Sequence, residues 1–355
     1  MGIIAFGSFF SFTIFKLYGL LKNIYVYRSI VILAITLPLI FVTTNIVGNL
    51  LYSKINSFFY TMSAVWIGSL NYFFIVSVVL AVLYFFIKNN KTLLLSTGII
   101  GLSIVIGLVV YSIYNASTIR ITHMYVTAPR LAPLWSDKTI VLFSDTHLGN
   151  TRKDGFSEKI TKRINEQNPD LVLMAGDMID GPIIPYQKFT DPFKNIQSTF
   201  GAYYTPGNHE WYNNEPEKFL QNLDKKIITL IDKKLEINGT QIIGINYAQE
   251  TEEQTKERLD KTSFTPDIPS IALLHDPKNN DVLRTSGVDL VVSGHTHCGQ
   301  FWPVSQIVKS IYKDKTYGVR QFEGNATLTT CGVGTAMVPF RLDTKAEIVV
   351  VHINQ

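Results

Sequence analysis

The chain has 355 residues, 46% of them hydrophobic, and a formal net charge of +4. That charge is unevenly spread: no Asp or Glu precedes Asp137, whereas from Asp137 onward there are 28 acidic and 24 basic residues, so the chain reads as two unlike parts. The mildly acidic second part excludes a nucleic-acid binder, which needs a basic face against backbone phosphates, and two cysteines are too few for a disulfide framework or a zinc-cysteine site.

In chain order, residues 3–21, 29–51, 61–87 and 92–114 form four apolar runs. At about 1.5 Å per residue each is long enough to cross a hydrocarbon layer of roughly 30 Å, which predicts four transmembrane helices. Aromatic residues such as Tyr25, Tyr27, Phe58, Phe59 and Tyr114 gather near the ends of the runs, where amphipathic rings prefer to lie. The expected organisation is a membrane anchor over 1–119, a linker over 120–138 and a second domain over 139–355. Lys16, Lys22 and Arg28 flank the first connection and Lys88 and Lys91 the third. Positive residues favour the cytoplasm, so the bias points to a multi-pass protein of the cell membrane with its second domain outside the cytoplasm.

From residue 139, short aliphatic or β-branched runs alternate with helical patterns, and most runs end at a polar motif. Residues 139–143 lead to Asp145, 171–174 to Asp177, 202–205 to Asn208, 271–274 to His275 and 290–293 to His295. Ile160 and Ile164 mark one intervening helix; Phe219, Leu220 and Leu223 after Pro216 mark another. Runs at 326–330 and 347–352 close the domain as strands. The highly charged stretch 250–261 reads as a solvated helix or loop. Residues 301–324 carry Trp302, Ile307, Ile311 and Tyr312 between lysines; they read as a packed loop with one amphipathic helix, or as a lid or lipid-facing wall. The order predicts an α/β layered sandwich, with ligands gathered beyond the strand ends at one edge of the sheet.

Five of the seven histidines fall in these motifs: Asp145-Thr146-His147, Gly176-Asp177, Gly207-Asn208-His209-Glu210, His275 and Gly294-His295-Thr296-His297. A pair of divalent metals needs a carboxylate able to bridge them and neutral nitrogen or oxygen donors on either side. Asp177, after a glycine that lets the backbone turn tightly, is the natural bridge. The spacing of two between Asp145 and His147, and between His295 and His297, lets each pair point to one side of an extended segment. Histidine-rich donors favour Mn, Fe or Zn over Mg. Water acidified by two such cations becomes a hydroxide able to attack phosphorus, with no serine or cysteine nucleophile required.

The series of motifs resembles the calcineurin-like metallophosphoesterases, in particular the membrane-anchored bacterial type. That resemblance implies one metal, Mn first, held by Asp145, His147, Asp177 and His297, and a second by Asp177, Asn208, His275 and His295. It implies that His209 touches the scissile phosphate or protonates the leaving group, that Asp180 supports a ligand from behind, and that Glu210 orients His209 or its loop. Two positions depart from the family pattern: Glu210 stands where many members have Asp, and Cys298 follows the last histidine where many have Gly. The Cys298 position is read as a small buried residue, with the approach of a thiol to the metals left open. The expected activity is hydrolysis of a phosphate ester or pyrophosphate bond, on substrates that include lipid-linked ones. A non-catalytic metal-binding scaffold or sensor of the same fold is the alternative, and the intact His209 argues against it.

Overall fold

The computed structural model describes residues 2–48, 52–152, 155–180, 184–212, 216–247 and 251–355; Leu51, at the end of the second apolar run, and Glu250, at the head of the charged stretch, lie outside the described residues. The chain divides into two compact units, one holding the residues up to Asn115 together with Met337–Leu342, the other Ala116–Ala336 and Asp343–Gln355.

The first unit is helical: α1 (Gly2–Leu17), α2 (Ile24–Gly48), α3 (Lys54–Ile87) and α4 (Lys91–Ser117). Among the described residues three helices, α2, α3 and α4, are long and apolar enough to cross a membrane, not the four expected. The reason lies at Gly19, which adopts φ +78° while Gly19 N–H donates to Lys16 O (2.9 Å) and Leu20 N–H to Phe15 O (3.2 Å). This glycine-capped stop ends α1 after 16 residues, about 24 Å of helix and short of the roughly 30 Å of hydrocarbon.

Small side chains line the interior of this unit, as expected where helices pack without a hydrophobic driving force between them; Ala34, Ala64, Ser63 and Ser77 are fully buried. Residues 337–342 complete it. Phe340 stacks on Tyr72 with ring centroids 5.8 Å apart, Arg341 N–H donates to Ser112 O (3.1 Å), and Asn115 Nδ2 donates to Arg341 O (3.0 Å). Any Cβ at position 68 would lie 2.6 Å from Phe340 and Val338, which is why Gly68 stands there.

The second unit is the expected α/β sandwich, with strands β1 (Ile119–Thr127), β2 (Ile140–Phe143), β3 (Leu171–Ala175), β4 (Ala202–Thr205), β5 (Ile227–Thr229), β6 (Lys233–Ile237), β7 (Thr240–Ile245), β8 (Ser270–Leu274), β9 (Leu290–Ser293), β10 (Gly318–Gln321), β11 (Ala326–Thr329) and β12 (Ala346–Asn354). Among the described residues they form two sheets, ordered β1-β12-β2-β3-β4-β5 and β10-β11-β9-β8-β7-β6. Strands β2 to β5 run parallel, as do β7, β8, β9 and β11. The two sheets pack face to face: Ile140, Leu142, Leu171 and Leu173 share one core with Ile271, Leu273, Leu290 and Val292. The alternate residues Ala272, Leu274 and Val291 point the other way and pack with Leu259 of helix Glu252–Lys261 and Leu283, the period-two alternation of a sheet buried on both faces.

The segment expected as a linker, 120–138, is folded. It holds most of β1, paired in parallel with β12 from Ile119↔Ala346 to Thr127↔Asn354, and a short helix, Ala132–Trp135, whose Trp135 is fully buried. β1 escapes a hydropathy reading because it is an edge strand, apolar only at alternate positions and partly exposed.

Candidate metal centre

Asp145, Asp177, Asn208, His275 and His295 follow directly on β2, β3, β4, β8 and β9, so strands of both sheets deliver their polar groups to one rim. The turns that do so are tight. Asp145, His147, Asp177, His295 and His297 all have φ between 45° and 69°, the left-handed region that costs a non-glycine residue roughly 1–2 kcal/mol. Five such residues gathered at one rim imply that their side-chain positions, not backbone comfort, determine the local fold.

The donor atoms converge. His147 Nε2 lies 2.9 Å from His297 Nε2, and His297 Nε2 lies 3.4 Å from Asp145 Oδ1. In a second group, His275 Nε2 is 3.2 Å from Asp177 Oδ2, from Asn208 Oδ1 and from His295 Nδ1. Asp177 Oδ2 also stands 3.7 Å from His147 Nε2, which puts this carboxylate between the two groups. Four side chains, Asp145, His147, Asp177 and His275, are buried almost completely.

These separations fit cations. The ligands of a metal bound at about 2.1 Å lie roughly 3.0–3.4 Å from one another. The protons, moreover, are committed elsewhere. His275 Nδ1–H donates to the carbonyl of Ala175 (2.6 Å) and His147 Nδ1–H to Asp180 Oδ1 (3.2 Å), so each neutral ring would present the lone pair of its Nε2 to a metal. Asn208 Nδ2 donates to Tyr212 Oη (2.6 Å), which turns its Oδ1 toward His275. With the rings neutral, lone pairs on nitrogen and oxygen face each other across a space that suits a cation; without one, protons held by the neighbouring carboxylates take its place.

Glu210 braces the rim. Its buried carboxylate accepts from the backbone N–H of Met178 (2.8 Å) and Ile179 (3.1 Å) on one oxygen, and of Gly207 (2.7 Å) and Asp177 (3.1 Å) on the other. It thus ties the turn after β3 to the turn after β4, and its contacts run to the loops rather than to the His209 ring. A glycine is required at position 207, where a Cβ would collide with Asp177 Oδ1 and stand 2.6 Å from Asp177 N.

Asp180 serves two rings at once, His147 at 3.2 Å and His209 Nδ1 at 3.7 Å. His209 itself is anchored by its backbone N–H on Asp177 Oδ1 (2.9 Å). Its ring, packed between those of His147 and Tyr212 at centroid distances of 4.4 and 4.5 Å, has its nitrogens 3.9 and 3.7 Å from Asp177 Oδ2 and Asp180 Oδ1, beyond hydrogen-bonding distance. His209 also lies close enough to His147 and Asp177 to share a cation with them.

Electrostatics follow from the crowding. Burial lowers the pKa of His147 and His275, but the carboxylates around them, Asp145, Asp180 and Asp177 for the first and Asp177 and Asp145 for the second, outweigh it and raise both to about 10. Burial likewise acts to raise Asp145 and Asp177, yet the neighbouring histidines hold both carboxyls low. Burial, and then the charge of Asp177, lift Glu210 to about 7. His209 is lowered, first by burial and then by His147, which keeps its ring neutral.

Cys298 is no free thiol: it is bonded to Cys331, with Cα atoms 5.1 Å apart, and no cysteine is free among the described residues. The pair forms because β9 and β11 are parallel neighbours, so the loops after Ser293 and Thr329 leave the sheet side by side. Nothing in a separation of 33 residues marks this in the sequence. Tyr212 is a second residue that sequence reasoning passed over; its place four residues after Asn208, across one tight turn, is the available signal.

A layered α/β domain thus brings histidines, carboxylates and one asparagine to a shared strand-end rim in groups that could hold metal ions. The family model for calcineurin-like phosphoesterase matches residues 138–299, and the chain carries a calcineurin-like metallophosphoesterase domain. Among curated relatives, an uncharacterized metallophosphoesterase of Helicobacter pylori (strain J99 / ATCC 700824) is 32% identical over 61% of this chain and 61% of its own length. One of Campylobacter jejuni is 29% identical over 75% and 73%. A transmembrane protein with metallophosphoesterase domain from Danio rerio is 24% identical over 72% and 62%. The chain thus spans about 61% of the length of the first curated relatives it matches. With its apolar helices, it is a membrane protein.

Proposed function

We propose that the protein is a membrane-anchored phosphoesterase that holds two divalent cations, Mn, Fe or Zn, and hydrolyses a phosphate ester or phosphoanhydride, lipid-linked substrates included. The observation that carries this reading is the convergence of donor atoms at His147, His297 and Asp145, and at His275, His295, Asn208 and Asp177, with one Asp177 oxygen between the groups. Bound there, two divalent cations would supply Lewis acidity toward a phosphoryl group and acidify water. Asp180 fixes the His147 ring, Tyr212 fixes the Asn208 amide, and Glu210 holds the two loops in register. His209, neutral and unconstrained at its Nε2, is the group available to contact a phosphoryl oxygen or carry a proton to the leaving oxygen. The disulfide adds support for a domain outside the cytoplasm, since such bonds persist in oxidising compartments.

The test is turnover of p-nitrophenyl phosphate and its bis ester by the full chain in detergent with added Mn, alongside metal content. His209→Ala should keep its metals and lose most turnover; Asn208→Ala should lose both. Metal uptake by the wild type with no turnover of any phosphate ester would make the domain a scaffold, and wild-type activity in His209→Ala would remove that residue from the mechanism.

A further inference from the structure

Helix Val304–Tyr312 keeps an apolar stripe on its exposed side, while Val308 and Tyr312 are half-buried on its inner side. Its buried position is polar: Ser305, 7% exposed, donates its hydroxyl to Asp343 Oδ2 (2.8 Å). Its exposed stripe is apolar, with Val304, Ile307 and Ile311 spaced by three and four residues and 38%, 55% and 65% exposed, and Trp302, 46% exposed, just before the helix. A helix stabilised only by its own domain would keep its exposed side polar. Lysines rim the stripe. Lys315 is neutralised by Asp281 (2.8 Å), while Lys309 and Lys313 form no ion pair among the described residues.

We propose that this stripe lies in the surface of a lipid bilayer, with Trp302, Val304, Ile307 and Ile311 in the apolar boundary and Lys309 and Lys313 against anionic headgroups. An apolar helix face rimmed by lysines and preceded by tryptophan is the composition of an interfacial helix, and cations near an anionic leaflet contribute about 1 kcal/mol each. The chain itself carries helices long and apolar enough to cross a membrane, which makes a bilayer the occupant this stripe would meet on the same polypeptide. The same helix ends in Ile311 and Tyr312, which line a cavity of about 780 Å³ together with Asn208, Tyr212, Tyr247 and His295. Docking the helix on lipid would therefore open that cavity at the headgroup level.

The test needs neither metal nor turnover, so its result is separate from that of the hydrolysis assay. The full chain is placed in phosphatidylcholine nanodiscs with or without phosphatidylglycerol and carries a nitrobenzoxadiazole label at Ile307→Cys, Val304→Cys or, on the exposed face of helix Glu252–Lys261, Glu257→Cys. Labels at 304 and 307 should shift to the blue, be quenched by doxyl lipid and resist aqueous iodide, whereas the label at 257 should do the reverse. Adding Lys309→Glu should reduce lipid quenching at 307 only where phosphatidylglycerol is present. Equal iodide quenching at 307 and 257 would overturn the proposal. So would a label at 307 that is shielded from iodide yet blind to doxyl lipid, because that outcome assigns the stripe to a protein.

Discussion

Replacing Glu210 by Gln tests whether the rim is held by its backbone contacts. The wild-type carboxylate accepts four buried N–H groups, two on each oxygen. In Glu210→Gln one oxygen becomes an NH2 group, so two backbone donors meet a donor. Each bond to a charged acceptor contributes roughly 1.5–3 kcal/mol, and a buried donor left unpaired costs about as much. The expected loss is about 3–5 kcal/mol, a large fraction of a folded domain's total stability of about 5–15 kcal/mol. Glu210→Asp, which keeps the charge on a shorter stem, should fall between the two. The assay is thermal unfolding in detergent at a pH above 7, where the Glu210 carboxyl is ionised, with and without Mn, together with metal content. Metal occupancy should fall as well, since Asp177 and Asn208 stand on the two loops that Glu210 joins. An unfolding midpoint and metal content equal to wild type would refute the account.

The metal-free protein should be most stable in mild acid. Glu210, with a pKa raised from 4.5 to about 7, stabilises fully below 4.5 and loses that contribution as pH rises through about 7. His147 and His275, raised from 6.5 to about 10, stabilise fully below 6.5 and lose it toward 10. Asp145 and Asp177, held below 3.8, stabilise above that value and lose it in stronger acid. Thermal unfolding across pH in chelator should therefore peak between about 3.8 and 4.5, decline as pH rises through about 7, and shift upward in pH on adding Mn; a metal-free optimum above pH 8 would contradict the assignments. Cys331→Ser opens a loop of 33 residues, which chain entropy values at about 3–4 kcal/mol. It should lower the unfolding midpoint and weaken occupancy at His297, next to Cys298, before that at His275; metal content and midpoint unchanged by the substitution would count against that role.

The site was more legible than the frame around it. Each ligand loop begins where a short aliphatic run stops, and buried parallel strands such as Leu171–Ala175 and Leu290–Ser293 leave unbroken apolar runs that a reader can see. β1 did not stand out because an edge strand is only half apolar. The shortness of α1 turns on one glycine in a left-handed cap, inside a run whose hydropathy continues to Leu21. The Cys298–Cys331 bond and the Tyr212 contact depend on which strands are neighbours and how one turn closes, and a linear sequence does not display either. Helix Val304–Tyr312 was half visible: its apolar spacing is in the sequence, but the burial of Ser305 shows which side faces inward.

Residues 337–342 have a bearing on biogenesis. They complete the helical unit and are followed at once by the stretch that ends in β12, which lies between β1 and β2 in its sheet. The bundle therefore waits for a piece translated after strands β1 to β11, and the sandwich waits for the strand beyond it. Severing the polypeptide near position 115 would strand Phe340 in water on one product and leave a vacancy beside Tyr72 in the other. Maturation thus links the two units, with the helical one unable to reach its final packing before most strands of the other have been made.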